Sequence, residues 1–227
     1  MIDLHTHILP GIDDGAETVD ESISLIRAEI ESGVKTIALT PHFNVNASEQ
    51  QDYLTAYNTA FYKLHEAINE HKLPIRLIQG AEVAFTSLSP ELDLDSLCYE
   101  NTNTILIELP MTYYPPYSRE ILYRMQLDGY TPMIAHAERY AYFAKKPALL
   151  EKLVQTGALV QINAGSLIKK GKIRRRALKM ISRGLVHAIA TDTHSMAMRP
   201  PRLDMAHEIV AKKLGTETAQ RLVNFEL

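Results

Sequence analysis

His5-Thr-His7 sets two imidazoles two residues apart in an apolar, β-prone run, and strand alternation turns residues i and i+2 to one face. Two rings so placed can share one metal ion. The turn through Pro10-Gly11 and Asp13-Asp14-Gly15 then bends the chain back and brings a carboxylate, Asp14, to the same region. Alone, the pair is a weak signal, and two satisfied histidines on a first strand explain it equally well. The remaining histidines and acids decide between these readings, through the elements that carry them.

Four times a helical segment ends in glycine and a short apolar run follows. Gly33 precedes 34–40, Gly129 precedes 130–135, Gly157 precedes 158–162 and Gly184 precedes 185–190. Glycine accepts the left-handed conformation that stops a helix, so the repeated unit is helix, cap, strand. Runs at 2–4, 75–78 and 104–109 bring the expected strands to seven. Helices are expected to open at Thr18, with Glu21 three residues on, and at Ser48, with Gln51. Others span roughly 117–127, 147–155, 173–182 and 202–214. Strands separated by helices pair in parallel through right-handed crossovers. The expected fold is therefore α/β, a closed or nearly closed (β/α)7 barrel in one domain over residues 1–227, with an open doubly wound sheet as the alternative.

In a barrel the strand C-termini form one ring. The first strand contributes His5 and His7, with Asp14 in its loop; the second ends at His42, the third at Glu82, the fourth at Glu108. The fifth ends in His136-Ala-Glu138-Arg139, the sixth in Gln161-Ile-Asn163, the seventh in Asp192-Thr-His194. Six of the seven ends thus carry a metal-type ligand, whereas chance would scatter such residues over outer helix faces as well. Nine imidazole or carboxylate ligands exceed the needs of one ion and suit about three divalent cations. Three dications against four carboxylates leave a surplus of about two positive charges, which favours an anionic substrate. Arg139 and Arg199 leave the same rim, and guanidinium forks match phosphate oxygens. Ions that activate water and arginines that stabilise equatorial charge favour phosphate ester hydrolysis.

Composition sets the wider bounds. The chain has 227 residues, 46% hydrophobic and 22% charged, which suits a globular protein with a sizeable core. A net charge of −3 supplies no global field for nucleic acid or an anionic membrane. A single cysteine, Cys98, rules out an internal disulfide and a thiolate zinc site. No basic-then-apolar leader opens the chain and no run approaches a membrane span, so the expected location is cytoplasmic.

The motif set His5-Thr-His7, Asp14, His42, Gly80-Ala-Glu82, Glu108, His136-Ala-Glu-Arg139 and Asp192-Thr-His194 resembles the PHP (polymerase and histidinol phosphatase) superfamily. More narrowly, the opening Ile-Asp-Leu-His-Thr-His, the Ile-Ala-His-Ala-Glu-Arg-Tyr stretch and the Arg-Pro-Pro after Asp-Thr-His resemble the manganese-dependent protein-tyrosine phosphatases of bacterial capsule and exopolysaccharide operons. The resemblance runs along the whole chain and is weakest between Gly165 and Arg183 and at the C-terminus. It implies a distorted (β/α)7 barrel around three divalent ions, Mn2+ first among them. It further implies that His5, His7, Glu82 and Asp192 hold one ion, a bridging Glu82 with Glu108 and His136 a second, and Asp14, His42 and His194 a third. Arg139 and Arg199 would grip the phosphate, and the partner would be the phosphotyrosine tail of a bacterial tyrosine autokinase. A phenol, with a pKa near ~10, leaves more readily than an alkyl alcohol, so no general acid is nominated.

Competing readings fare less well. Histidinol phosphate is the nearest rival substrate; an amidohydrolase would want a lysine where Glu108 stands; against a non-catalytic metal-binding module stands the full ligand set with both arginines, since a purely structural site would not need open coordination positions. Cysteine-based phosphatase chemistry is excluded, because the residue six positions after Cys98 is Thr104. Asp93-Leu-Asp95 reads as a solvated turn, and Tyr113-Tyr114-Pro-Pro-Tyr117 as rim packing or a cleft wall. Lys169 to Arg176 reads first as a solvated helix start, second as a surface that steers an acidic, tyrosine-bearing tail.

Overall fold

The glycine punctuation holds. Gly33, Gly129, Gly157 and Gly184 have φ of 84°, 94°, 103° and 70°, the region where an L side chain is strained. The computed structural model describes residues 1–227, the side chain of Pro90 excepted.

The elements run β1 (Ile2–Thr6), α1 (Val19–Glu31), β2 (Thr36–Leu39), β3 (His42–Phe43), α2 (Gln50–Glu70), β4 (Arg76–Gln79) and β5 (Glu82–Ala84). Then follow β6 (Thr104–Glu108), α3 (Ser118–Leu127), β7 (Thr131–Ile134), α4 (Ala141–Lys145), α5 (Ala148–Gln155) and β8 (Leu159–Asn163). The chain ends with α6 (Ala164–Ile168), α7 (Lys172–Ser182), β9 (Ala188–Ala190), α8 (Leu203–Leu214) and α9 (Thr216–Val223). Thr18 caps α1 as expected, accepting a hydrogen bond from the Glu21 backbone N–H at 3.2 Å. Ser48 does not cap α2: the N-cap is Glu49, without a side-chain bond, and Gln50 instead donates to Asp93 O and Ser96 Oγ.

Every strand pair is parallel, in two rows, β1-β2-β4 and β3-β5-β6-β7-β8-β9. Two of the seven expected strands are each split, at Thr40-Pro41 and at Gly80-Ala81, which raises the count among the described residues to nine. Proline cannot donate to a ladder, and the break at Pro41 follows from that. Single bonds span the breaks: Thr40 N–H to Thr6 O at 2.9 Å and Glu82 N–H to Pro41 O at 3.1 Å. At the far end His7 N–H donates to Thr193 O and Asp192 N–H to His5 O, both at 2.8 Å, so β1 meets the segment after β9. The result is a mixed α/β fold around a curled parallel sheet.

Apolar side chains fill both sides of that sheet, as in parallel sheets covered by helices. The inner group of Leu4, Ala38, Leu106, Met133, Ala135 and Ala188 is capped by Tyr99, whose hydroxyl donates to Leu4 O at 2.7 Å. The larger outer group joins strands to helices. A register shift in β1 between Asp3 and Thr6 interrupts the alternation. Leu4 therefore belongs to the inner group, while Asp3 turns out to meet Glu29 of α1 and Thr191. No helix is long and apolar enough to cross a membrane.

Candidate metal centre

All nine candidate ligands, drawn from six loops or strand ends, converge on one mouth of the sheet. Glu82 lies at the middle and is 1% exposed. Its Oε2 is 3.2 Å from His5 Nε2, 3.4 Å from His7 Nε2 and 2.9 Å from His42 Nδ1, and its Oε1 is 3.0 Å from His136 Nε2. Glu108 stands 3.5 Å from His136 Nε2 and 4.0 Å from His42 Nδ1. Asp192 Oδ1 approaches His7 Nε2 at 3.4 Å and His5 Nε2 at 3.7 Å. On the solvent side Asp14 faces His194 Nε2 at 3.2 Å and His42 Nε2 at 3.6 Å.

Three observations fit this donor set to divalent cations. First, His5 Nε2 and His7 Nε2 point at each other across 3.1 Å, an arrangement natural to two lone pairs aimed at one cation. Second, three rings are turned inward by bonds to their outer nitrogens. His7 Nδ1 meets Asp13 Oδ2 at 2.6 Å, His5 Nδ1 meets Gln161 Oε1 at 3.2 Å, and His194 Nδ1 meets the Asp192 carbonyl at 3.0 Å. Such outer bonds select the tautomer that leaves Nε2 free to coordinate. Third, Glu82 Oε2 and His194 Nε2 are buried with no aligned hydrogen bond, which is costly unless an ion satisfies them. Three overlapping groups bring their ligand atoms within 4.8 Å: His7, Asp14, His42 and His194; His5, His7 and Asp192; His42, Glu82 and Glu108.

Without a bound cation these imidazoles and carboxylates pair with one another, and a metal has to displace the imidazole protons. Burial alone would lower the His7 imidazole, but hydrogen bonds to Asp13, Asp192 and Glu82 hold it well above the usual histidine value. Burial opposes charge on Glu82 too, yet the His5 charge and bonds from His136, His42 and His5 keep that carboxyl well below its usual range. His136 is pushed up to about 9, bonds to Glu108 and Glu82 overriding burial. His194 falls to about 4, through burial and repulsion from His7.

The backbone is strained where it delivers these groups. His136 has φ 32° and Asp192 φ 55°, left-handed positions that cost a non-glycine residue about 1–3 kcal/mol each. His136 N–H is anchored on Gln161 Oε1 at 2.7 Å, and Asp192 N–H on β1. Gly15 is required for a different reason: a Cβ there would lie 2.0 Å from His7 O. Only glycine lets the Asp13-Asp14 turn press against β1.

Both arginines reach the rim and converge on Asp192. Arg199 Nη1 lies 3.0 Å from Oδ1 and Arg139 Nη1 3.3 Å from Oδ2, while Arg199 Nη2 is 3.5 Å from Asp14. Each is about one-third exposed, at 38% and 36%, and lines a cleft of about 440 Å³ with Asn163, Lys169 and Arg202.

Three supporting residues, Asp13, Gln161 and Asn163, escape a reading by ligand type alone, while Glu138 is marked out by its place beside His136. Asp13, not Asp14, orients His7; its carboxyl drops to about 2 because the His7 hydrogen bond and charge outweigh burial. Gln161 ties His5 to His136, and Asn163 donates to Asp192 at 2.5 Å. Alternation along Gln161-Ile-Asn163 was the available signal for that pair, since it places both on one face at a strand end. Glu138, fully buried, accepts from Asn163 N–H at 3.1 Å. Tyr114 and Tyr117 pack on Tyr142, Phe143 and Phe85, while Tyr113 is exposed. Asp95 accepts a bond from the Tyr130 hydroxyl in an exposed turn.

A family model described as "Capsular polysaccharide synthesis, CpsB/CapC" matches residues 1–225. The chain belongs to the CpsB/CapC family. This CpsB/CapC chain is 34% identical over 233 residues to the tyrosine-protein phosphatase YwqE of Bacillus subtilis strain 168, spanning 100% of the chain and 91% of YwqE. It is 31% identical to the tyrosine-protein phosphatase CpsB of Streptococcus agalactiae serotype V, spanning 98% of the chain and 94% of that protein. Its fold superposes with a TM-score of 0.89 on a chain from the crystal structures of YwqE and of Streptococcus pneumoniae CpsB, described as metal-dependent tyrosine phosphatases. That match has 33% identity over 97% of this CpsB/CapC chain and 90% of the other. The narrower resemblance seen in the motifs is thereby borne out at the level of the family.

Proposed function

We propose that this CpsB/CapC protein is a metal-dependent phosphomonoesterase that hydrolyses phosphotyrosine on a bacterial tyrosine kinase tail, and so regulates capsular polysaccharide synthesis. One observation carries the reading: two arginines and a nine-ligand nest meet at the same carboxylate, Asp192. On this reading His5, His7, Glu82 and Asp192 hold one divalent ion, Glu82, Glu108 and His136 a second, and Asp14, His42 and His194 a third. The overlapping ligand groups support three ions, and both His42 and His136 lie beside Glu82 and Glu108. Nitrogen and oxygen donors without thiolate suit Mn2+. Bound cations would supply Lewis acidity toward a phosphoryl oxygen and lower the pKa of a water.

The chain's own residues do the rest. Arg139 and Arg199 offer paired N–H donors to the equatorial phosphoryl oxygens, where charge grows in the transition state. Asp13, Gln161 and Asn163 keep His7, His5 and Asp192 in place, so no reorganisation is needed during reaction. A phenolate, whose parent phenol has a pKa near ~10, leaves without strong help from an acid.

The sheet supports the (β/α)7 reading once β2 with β3 and β4 with β5 are each taken as one interrupted strand, in one domain over residues 1–227. A cytoplasmic location is part of the proposal. The test is turnover by the manganese-loaded protein of a phosphotyrosyl peptide against histidinol phosphate. Preference for the peptide, lost in Arg139→Ala, is expected; preference for histidinol phosphate would reverse the substrate assignment.

A further inference from the structure

Residues 169–183 contain eight lysines and arginines and no acid, one-third of the 24 cationic side chains in the chain. Within α7, Lys172, Arg175, Arg176, Lys179 and the following Arg183 fall at helical spacings of three and four, so like charges stack along one stripe. The first turn holds no acid, and cations there oppose the helix dipole. Local stability argues against such a helix, and most of the charge is uncompensated. Among the described residues, only Arg183 of these eight forms an ion pair, with Glu151, while Arg176 donates to Glu138 O at 2.6 Å and to Tyr140 O at 3.3 Å.

These charges do not project from a convex face. Lys172, Arg175 and Lys179 edge a recess of about 370 Å³ whose floor is apolar, with Phe143, Leu150 and Met180 each at least 94% buried. Lys172 also borders a second recess, over Lys170 and Gly171, and that one shares Gly165, Ser166, Lys169 and Ile173 with the cleft beside Arg139 and Arg199. Three hollows thus follow one another, each sharing lining residues with the next, from the Arg139–Arg199 cleft to the outer side of α7. Gly165 and Gly171 lie along this path, and a Cβ at either would meet nothing within 4 Å, so the passage is open at both points.

We propose that this trough is an exosite that holds an acidic, extended stretch of the substrate polypeptide flanking the phosphorylated residue. The proposal rests on the phosphotyrosine reading of the metal centre and adds the partner's chemistry and its path. Charge complementarity selects an acidic ligand, and continuity with the Arg139–Arg199 cleft selects a chain covalently joined to the phosphate. The apolar floor lies beneath the cations, which suits side chains of a peptide that follow the recess more than a planar lipid surface.

The experiment compares the wild-type metal-loaded protein with Lys172→Glu/Arg175→Glu/Lys179→Glu, exposed substitutions on the face of α7 opposite its buried Ala177 and Ile181. Substrates are a phosphotyrosyl peptide with an acidic flank, the same peptide with Asn and Gln in place of the acids, and p-nitrophenyl phosphate. The variant should lose about tenfold in kcat/KM on the acidic peptide alone, through KM, an effect that added salt reproduces in the wild type. Turnover of p-nitrophenyl phosphate should be unchanged, which also shows that the variant is folded. Fluorescence anisotropy of the unphosphorylated acidic peptide reads the exosite without catalysis. Binding by the wild type and not by the variant supports the trough even if phosphotyrosine proved the wrong substrate. Equal turnover of both peptides by the wild type, or binding of phosphatidylserine vesicles in place of the peptide, would overturn it.

Discussion

Glu82 and Glu29 are both withdrawn from solvent, at 1% and 0% exposure, yet their surroundings drive them to opposite charge states. Around Glu82 four imidazoles approach within 3.4 Å, and the carboxyl is held ionised. Glu29 faces the Asp3 carboxyl and the Thr191 hydroxyl instead; burial and the Asp3 charge raise it well above the usual glutamate value. Asp3 is raised as well, chiefly by burial, so the pair retains a proton. Asp3 in turn accepts from Thr191 N–H at 3.0 Å and from His5 N–H at 3.3 Å. One buried acid thus carries its charge among imidazoles, while the other locks β1 to the strand end that bears Asp192. Burial alone does not distinguish a ligand from a brace; the sign of the neighbours does.

Replacing Glu82 by Gln should break the contrast most severely. It leaves clustered imidazoles without their central anion, a loss of about 3–5 kcal/mol for a buried pair. Turnover should fall more than about a hundredfold, with fewer metal ions per chain by elemental analysis. Unchanged metal content would remove Glu82 from its bridging role. Chelation should act next. A ligand at a thousandfold excess over its Kd contributes about 4 kcal/mol, so stripping metal from the wild type should lower Tm by roughly 10 °C. In Glu82→Gln the drop should be much smaller, and an equal drop would show that the stabilising ions sit elsewhere.

Asp13→Asn sharpens the comparison at the level of orientation. The amide cannot accept from His7 Nδ1 with the strength of a carboxylate, and metal affinity should fall about 10–100-fold, read by manganese titration. Glu29→Gln should have the smallest effect, within about 1 kcal/mol by urea unfolding, because an amide can donate to Asp3 as a protonated carboxyl does. Its pH signature has a definite sign. A carboxyl raised in the folded state contributes stability fully below the ordinary 4.5, and that contribution is lost as pH climbs through the raised value. The wild type should therefore lose stability toward alkaline pH relative to Glu29→Gln. Parallel profiles would place a charged, not a protonated, group at Glu29.

The candidate imidazoles and carboxylates that cluster at the mouth and the helix–glycine–strand rhythm were legible without coordinates, because both are local. Strand alternation points His5 and His7 the same way whatever surrounds them, and Gly33, Gly129, Gly157 and Gly184 mark helix ends by backbone sterics alone. Tertiary structure decided the rest. The β1 register shift sends Asp3 outward to α1 although it shares its parity with His5 and His7. It decides which of two adjacent aspartates orients a ring and which faces the rim, and it splits two strands at Pro41 and Gly80. The left-handed turns at His136 and Asp192 persist because Gln161 and β1, far away in sequence, hold their amides. Residue type specifies which atoms can bind; only closure of the sheet specifies which neighbour each atom meets, and with it the charge that the atom carries.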